Sequence, residues 1–374
     1  MLNLSGGIII MRGVSLLKKK KLCVLFGGQS SEHDVSLISA CNILECIDPD
    51  KYDVCKIGIT LDGRWLLTEC GSEDIKTGRW ETDPRSRTAF IAPDSSIHGI
   101  VIPSNGSIET VYIDAAFPVL HGLHGEDGTV QGLFELACIP YVGPGVAASA
   151  CAMDKVLSKM IFDSVGFKQA KWTWITRHAL NENKDAFMDD VERDFSYNLF
   201  VKPANAGSSI GITKAHNRAE LSEALDIAAY HDVKIIVERA VKGREIECAV
   251  LGGHDAVASL PGEILPAKEF YDYSAKYSNI GSRTLVPADL PEDTVKAVRE
   301  FALKVFHVLG CRGMARVDFF VREDGEVVLN EINTIPGFTA ISMYPKMWEA
   351  SGVSYRELVG RLIESAVSRA QEDI

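Results

Sequence analysis

The sequence predicts an α/β fold, with a parallel sheet over roughly residues 22–150 and α+β segments in the C-terminal part. Three observations predict it. "KLCVLFGGQSSEHDVSLISACNILECI" reads as an apolar strand, a Gly-Gly turn and a helix. Apolar strands then alternate with helical stretches, the pattern that builds parallel sheets. Near the other end, "RVDFFVREDGEVVLNEIN" carries Asp324-Gly325 between two apolar runs, a strong hairpin signal. The 374 residues exceed one ordinary core, so more than one domain is expected.

Residues 1–21, "MLNLSGGIIIMRGVSLLKKKK", place four lysines after a short apolar stretch. That order is the reverse of a signal peptide, and the segment is read as a disordered extension. An N-terminal Rossmann-like unit is expected over 22–152. Its first helix has Ser31-x-x-Asp34 as a capping box, and further strands follow at "YDVCKIGIT", "YIDAAFPVLHG" and "IPYVGPG". The polar, turn-rich stretch 62–110 reads as peripheral. A central unit, 153–241, opens with a helix at "CAMDKVLSKMIFDSV". It continues through the strand–loop–strand "NLFVKPANAGSSIGITKA", a helix at 217–231 and the strand "KIIVERAV". A third unit, 242–374, holds the strand "REIECAVLGG" and a long Tyr-, Lys- and Ser-rich loop at 266–290. A helix at 291–309, the hairpin and a closing helix at 354–371 complete it.

Composition is that of a globular protein, 46% hydrophobic and 24% charged. A net charge of −12 argues against nonspecific binding to nucleic acid or an anionic membrane. It leaves phosphate ligands open, since these need only a local cluster of donors. Nine scattered cysteines without Cys-x-x-Cys spacing fit reduced thiols in the cytoplasm. No stretch approaches the ~18 apolar residues of a membrane span.

A two-residue loop at Asp324-Gly325 would pair Glu323 with Glu326, and so place Asp318 across from Glu331 and Arg316 across from Asn333. Facing carboxylates repel unless a cation intervenes. Oxygen donors at this spacing suit Mg²⁺ or Mn²⁺; solvated carboxylates neutralised by Arg316 would explain the hairpin equally well. "KPANAGSSIGI" follows a strand ending in Lys202, and its N–H groups and hydroxyls could cradle a triphosphate. It does not match the P-loop, and Gly/Ser loops are usually plain turns. In "VERAVKGRE", Glu238 and Glu245 offer acceptors for an adenine amino group and a ribose diol, or are ordinary surface charge. Glu32 lies in the first turn of the first helix, where an acid favours the helix dipole or holds a substrate ammonium at the carboxyl edge of the sheet. His121, His124, Glu126 and Asp127 do not fit the common zinc spacings; substrate contact by His121 is preferred.

In their order along the chain, "GGQSSEHDVSL", "HGLHGEDGTVQG", "YVGPGVAASACAMDK", "VKPANAGSSIGI", "FYDYSAKY", "GMARVDFF" and "NEINTIPGFTAISMYP" resemble the D-alanine–D-alanine ligases of the ATP-grasp superfamily. The resemblance covers the chain from about residue 21 onward. It implies a three-domain cytoplasmic enzyme, commonly a homodimer, that binds ATP and two Mg²⁺ or Mn²⁺ ions. It further implies phosphate contact by Lys155, Lys202 and Lys276, with Ser208 and Ser209 in the loop that closes over the phosphates. Glu238 and Val241 would face adenine, Glu245 the ribose, and Asp318, Glu331 and Asn333 the metal. Glu32 and His121 would orient the first D-alanine, while Gly337, Ser342 and Met343 meet the second. Arg316 would stabilise the reacting groups, and Tyr277 would link through Ser208 to Glu32. Relatives that make D-alanyl-D-lactate typically lack such a tyrosine, so Tyr277 favours the dipeptide. A depsipeptide ligase and a nucleotide-binding protein without turnover are the rival readings.

Overall fold

The strand that opens the fold is apolar on both faces, and both faces are covered. β1 (Lys20–Gly27) pairs in parallel with β2 (Tyr52–Ile59) on one side and with β8 (Ala115–Leu120) on the other. The computed structural model describes residues 19–104, 106–205, 207, 210–265 and 283–372. The N-terminal extension up to residue 18, Ser208, Ser209, Lys276 and Tyr277 lie outside the described residues. At the end of β1, Gly27 has φ +86°, and a Cβ there would lie 2.2 Å from the Ile59 carbonyl oxygen. The Gly-Gly turn therefore has a steric cause.

α1 (His33–Cys46) begins later than expected. Its N-cap is Glu32, without a side-chain cap bond, so the Ser31–Asp34 capping box does not form. Ser30 organises the turn instead, its Oγ accepting the Glu32 N–H at 3.1 Å. β3 (Trp65–Thr68) and β4 (Arg87–Thr88) extend the sheet antiparallel, in the order β4-β3-β2-β1-β8. Between them lies the short α2 (Ser72–Lys76). β5 (Phe90–Ile91), β6 (Gly99–Ser104) and β7 (Ser107–Tyr112) form a separate small sheet. The stretch expected to be peripheral thus contributes to the core. Trp80 is fully buried, edge-on to Phe26 at 5.2 Å, and Ile100 and Ile102 are buried too. Apolar residues interrupted by turns leave no period to read. "IPYVGPG" is not a strand but one parallel bridge, Tyr141 to Ala116; Pro140 and Pro144 cannot donate to a ladder.

α3 (Thr129–Leu136) is followed by two helices where one was expected, α4 (Val146–Met153) and α5 (Lys155–Ser164). Asp154 separates them: its carboxylate caps the N–H groups of Val156 and Leu157. The break puts Lys155 at the first position of a new helix. β9 (Trp172–Thr176), α6 (Arg177–Asp194), β10 (Leu199–Pro203), β11 (Thr213–Ala215), α7 (Arg218–His231) and β12 (Lys234–Arg239) complete the middle of the chain. Their strands form an antiparallel sheet, β11-β10-β12-β9, with a hydrophobic cluster of its own.

β13 (Arg244–Gly252), β14 (Val257–Ala258), β15 (Gly262–Leu265) and β16 (Arg283–Leu285) precede α8 (Glu292–Val308). β16 pairs with β15, so the end of the expected 266–290 loop is a strand. β17 (Gly313–Val321) and β18 (Val327–Asn333) form the hairpin, with β17 also pairing β13. α9 (Met343–Ala350) and α10 (Tyr355–Glu372) close the chain. One apolar cluster runs from β1, α1 and β8 through Met314, Ile335 and Phe338 into α9 and α10. The first and last parts of the chain therefore share a core.

The hairpin turn differs from expectation. Arg322 donates to the Glu326 carbonyl at 3.0 Å, leaving a three-residue loop with Gly325 at φ +84°. Phe319 then pairs with Leu329 but Asp318 with Glu331, so Asn330 is the extra residue of a β-bulge. The two one-residue offsets cancel. Asp318 faces Glu331, and Arg316 faces Asn333, as the two-residue turn would also have given.

Candidate active site

Two cavities meet where the β10–β12 face approaches the β13–β17–β18 face. The larger, about 620 Å³, is lined by Lys202, Glu238, Val241, Glu245, Arg316, Asp318 and Glu331 among others. The smaller, about 110 Å³, is lined by Glu32, His121, Asn333, Gly337, Ser342 and Met343, together with Glu126. Its volume equals that of roughly three to four liquid waters, the size of a small amino acid. Arg316 and Glu247 line both cavities.

The hairpin builds the wall between them. Arg316 Nε and Nη2 each donate to Asp318 at 2.7 Å, a bidentate pair. The Asn333 amide donates to Asp318 at 3.0 Å, which leaves its carbonyl oxygen to point elsewhere. The bulge at Asn330 turns that residue and Glu331 both toward the larger cavity. Glu247, across the ladder from Asp318, brings a carboxylate oxygen 3.1 Å from Arg316 Nε. Burial opposes the charge on Arg316, yet Asp318 and Glu247 hold its pKa well above the ordinary arginine value. Two carboxylates and an amide oxygen on one face form an all-oxygen donor set, which fits a hard divalent cation.

Cations come from the other side. Lys155 reaches to 3.7 Å from Glu331. Lys202 and Lys159 lie 2.6 and 2.9 Å from the two oxygens of Glu238. Burial disfavours the charged carboxylate, but these two lysines hold the Glu238 pKa down at about 2. Burial likewise opposes the charge on Lys202, and Glu238, Glu331 and Glu245 outweigh it, so its pKa is raised.

The smaller cavity is organised from α1. Ser39 Oγ accepts the Phe338 N–H at 3.3 Å and lies 3.1 Å from His121 Nε2. His121 Nδ1 is 3.2 Å from the Ile335 carbonyl oxygen. A carbonyl only accepts, so Nδ1 carries the proton, and Nε2 accepts from Ser39. Burial lowers the His121 pKa and keeps this neutral tautomer. Asn42 and Tyr355 both donate to the Phe338 carbonyl, at 3.0 and 2.6 Å. Ser342, the N-cap of α9, accepts the Thr339 N–H at 3.0 Å. A Cβ on Gly337 would lie 2.8 Å from Ser342 Oγ, so the close approach needs glycine.

Glu32 is enclosed by glycine backbone. A Cβ on Gly122 or Gly207 would come within 2.7 or 2.6 Å of its Oε2. Gly207, which lies between β10 and β11, thus sits against this carboxylate. Glu126 accepts the Gly122 N–H at 2.9 Å, and burial, reinforced by the charge of Glu32, pushes its pKa up to about 8.

Sequence reasoning missed Ser39, Lys159, Glu247 and Asn330, and weighed Glu126 only as a zinc ligand. Two of these had a local signal. Lys159 follows Lys155 by one helical turn, and Glu247 alternates with Glu245 on one strand face. The other three gain their places from tertiary contacts or from the bulge.

Comparisons with known proteins place the chain in a family. Residues 21–144 match the family model for the D-ala D-ala ligase N-terminus, and residues 161–364 that for the C-terminus. The chain is 51% identical over 368 residues to a D-alanine–D-alanine ligase of Acetivibrio thermocellus, covering 95% of this chain and 98% of that one. It is 50% identical over 352 residues to the D-alanine–D-alanine ligase of Clostridium novyi, with 94% and 99% covered. Among solved structures, the VanG D-Ala:D-Ser ligase from Enterococcus faecalis superposes with a TM-score of 0.86 at 38% identity, covering 93% of this chain and 100% of that one. The D-alanine–D-alanine ligase from Coxiella burnetii gives 0.82 at 37% identity, with 96% of each chain covered. By matched length and by identity, the chain belongs to the D-alanine–D-alanine ligase family.

Proposed function

We propose that this chain is an ATP-dependent ligase that joins two D-alanines into D-alanyl-D-alanine for peptidoglycan precursors. One observation carries the reading: Arg316 and Glu247 line both a nucleotide-sized cleft and an amino-acid-sized cavity, with Asp318, Glu331 and Asn333 at the wall. That arrangement suits a carboxylate attacking a terminal phosphate.

A carboxylate is a poor acyl donor. The first D-alanine therefore attacks the γ-phosphate, giving D-alanyl phosphate and ADP, and the second D-alanine's amine then displaces phosphate. Positioning and charge neutralisation supply most of the first step. Glu238 and the backbone at Val241 hold adenine and Glu245 the ribose. Lys155, Lys202 and Lys276 hold phosphates, and Ser208 and Ser209 close over them. Asp318, Glu331 and the Asn333 carbonyl would hold the metal, Mg²⁺ or Mn²⁺ and two ions by family resemblance. When bound, it would neutralise phosphate oxygens. Glu32 and His121 orient the first substrate; Gly337, Ser342 and Met343 receive the second. Arg316 stabilises the oxyanion formed when the amine attacks. By family resemblance, Tyr277 would link through Ser208 to Glu32 and help to exclude water from the acyl phosphate. We place the enzyme in the cytoplasm as a homodimer. Among the described residues, no helix is long and apolar enough to cross a membrane.

ATP consumption with D-alanine, D-lactate and D-serine side by side tests this reading. ADP and phosphate release with D-alanine is expected. Ester formation dominating at neutral pH would establish the depsipeptide reading instead, and ATP binding without phosphate release would mark a protein without turnover.

A further inference from the structure

We propose that Lys159 is the positioning residue that sets the base preference of the nucleotide cleft, by keeping Glu238 ionised and aimed after Lys202 has turned to phosphate. The inference rests on the nucleotide reading above and names what makes that site selective.

Glu238 is 4% exposed and meets two cations that differ in access. Lys202 lines the cleft, from which phosphate can claim it. Lys159, 3% exposed, approaches from α5 behind the cleft and lies 2.9 Å from Glu238 Oε1. The ladder neighbours of Glu238, Phe200 on β10 and Trp172 on β9, carry no charge. The other carboxylates near this group, Glu245 and Glu331, act on Lys202. Once Lys202 engages phosphate, Lys159 is therefore, among the described residues, the cation left to balance Glu238.

Protonation decides what Glu238 can recognise. An ionised carboxylate only accepts, so it pairs with the 6-amino group of adenine and repels a 6-oxo group. A protonated carboxyl would offer an O–H to the 6-oxo group, and the discrimination would fall. A buried carboxylate stripped of its cation takes up a proton. Lys159 thus matters most in the loaded enzyme.

The test compares Lys159→Gln, Lys159→Arg and Glu238→Gln with the unaltered protein, using ATP and inosine triphosphate from pH 6 to 9. With Lys159→Gln, KM for ATP should rise about ten- to a hundredfold, while kcat stays within about threefold. The preference for ATP over inosine triphosphate should fall at least about tenfold, the size of losing one specific polar contact. KM for ATP should also become pH-dependent and improve as pH rises. Lys159→Arg should restore the preference. A lowered melting temperature with an unchanged preference and a flat KM profile would reduce Lys159 to a structural role and overturn the proposal. Glu238→Gln removes the negative charge and leaves no buried carboxylate unbalanced, so it keeps the question answerable if Lys159→Gln does not fold; full preference in that variant overturns the proposal as well. If the unaltered protein shows no ATP turnover with D-alanine, the ligase reading fails. The ATP-to-inosine-triphosphate ratio measured by direct binding still decides the role of Lys159.

Discussion

Asp318 and Glu331 face each other across the hairpin although neither the turn nor the ladder between them is regular. In the structure Asp318 is taken by Arg316 and Asn333, and Glu331 by Lys155, so each carboxylate has a cationic neighbour on its own side. Replacing Glu331 by Gln keeps volume and removes charge. Turnover should fall by at least about a hundredfold, the scale of losing one group that balances transition-state charge, with the melting temperature little changed. Near-normal activity would refute the metal assignment.

Ser39 is the only side chain that touches both His121 and the Phe338 backbone N–H among the hydrogen bonds described for these groups. Ser39→Ala removes the donor to His121 and the acceptor for Phe338. Because His121 and the 335–337 segment both line the amino-acid cavity, KM for D-alanine should rise about tenfold, with KM for ATP unchanged. Equal effects on both substrates would point to general loosening.

Glu126 is an acid whose folded pKa, about 8, lies above its unfolded value. The folded state therefore holds a proton that the unfolded state releases between roughly pH 4.5 and 8. Stability from this group is present at low pH and lost as pH rises through that window. Glu126→Gln stays neutral throughout, so denaturant midpoints of variant and parent should draw apart in the variant's favour from pH 5 to 8. Parallel profiles would show that Glu126 ionises normally.

Gly325 carries the positive φ of the three-residue turn, at the opposite end of the hairpin from Arg316 and Asn333. Gly325→Ala should cost about 1–2 kcal/mol in stability, the price of a left-handed non-glycine residue, and leave kcat intact. Deleting Asn330 removes only the extra residue between Leu329 and Glu331, so the ladder becomes regular, Glu331 stays across from Asp318 and turnover should persist. Turnover abolished by that deletion in a folded protein would mean that the bulge itself, and not the pairing alone, aims Glu331.

Strands and helices with a clear apolar period were legible in the sequence, as β1, α7, β13 and α10 demonstrate. Boundaries fixed by a single polar side chain were not. Asp154 splits a helical pattern whose periodicity never lapses, and Ser30 displaces an apparently good cap at Ser31. The pairing of Asp318 with Glu331 emerged correctly from an incorrect turn, because a bulge invisible in the sequence compensated for it. Lys202, Glu238 and Glu245 were found through the turns beside them, and Asp318 and Glu331 through the hairpin, whereas Lys159 and Ser39, on ordinary helices, acquire their roles only when sheets from different parts of the chain meet.

The core shared by β1, β8 and the last helices has a bearing on synthesis. Leu22, Val24, Phe26, Phe117 and Val119 leave the ribosome more than two hundred residues before Leu358, Leu362 and Ile363, which help to cover them. At ~5–20 residues per second that interval is roughly 10–50 s, during which part of the first sheet's face stays bare. Nascent chains arrested before residue 343 should accordingly be cut by protease within residues 22–150, and become resistant once α10 has emerged. Early resistance would mean that the first sheet completes itself without the C-terminus. The closing helix is thus the step that ends the chain's exposure to chaperones and proteases.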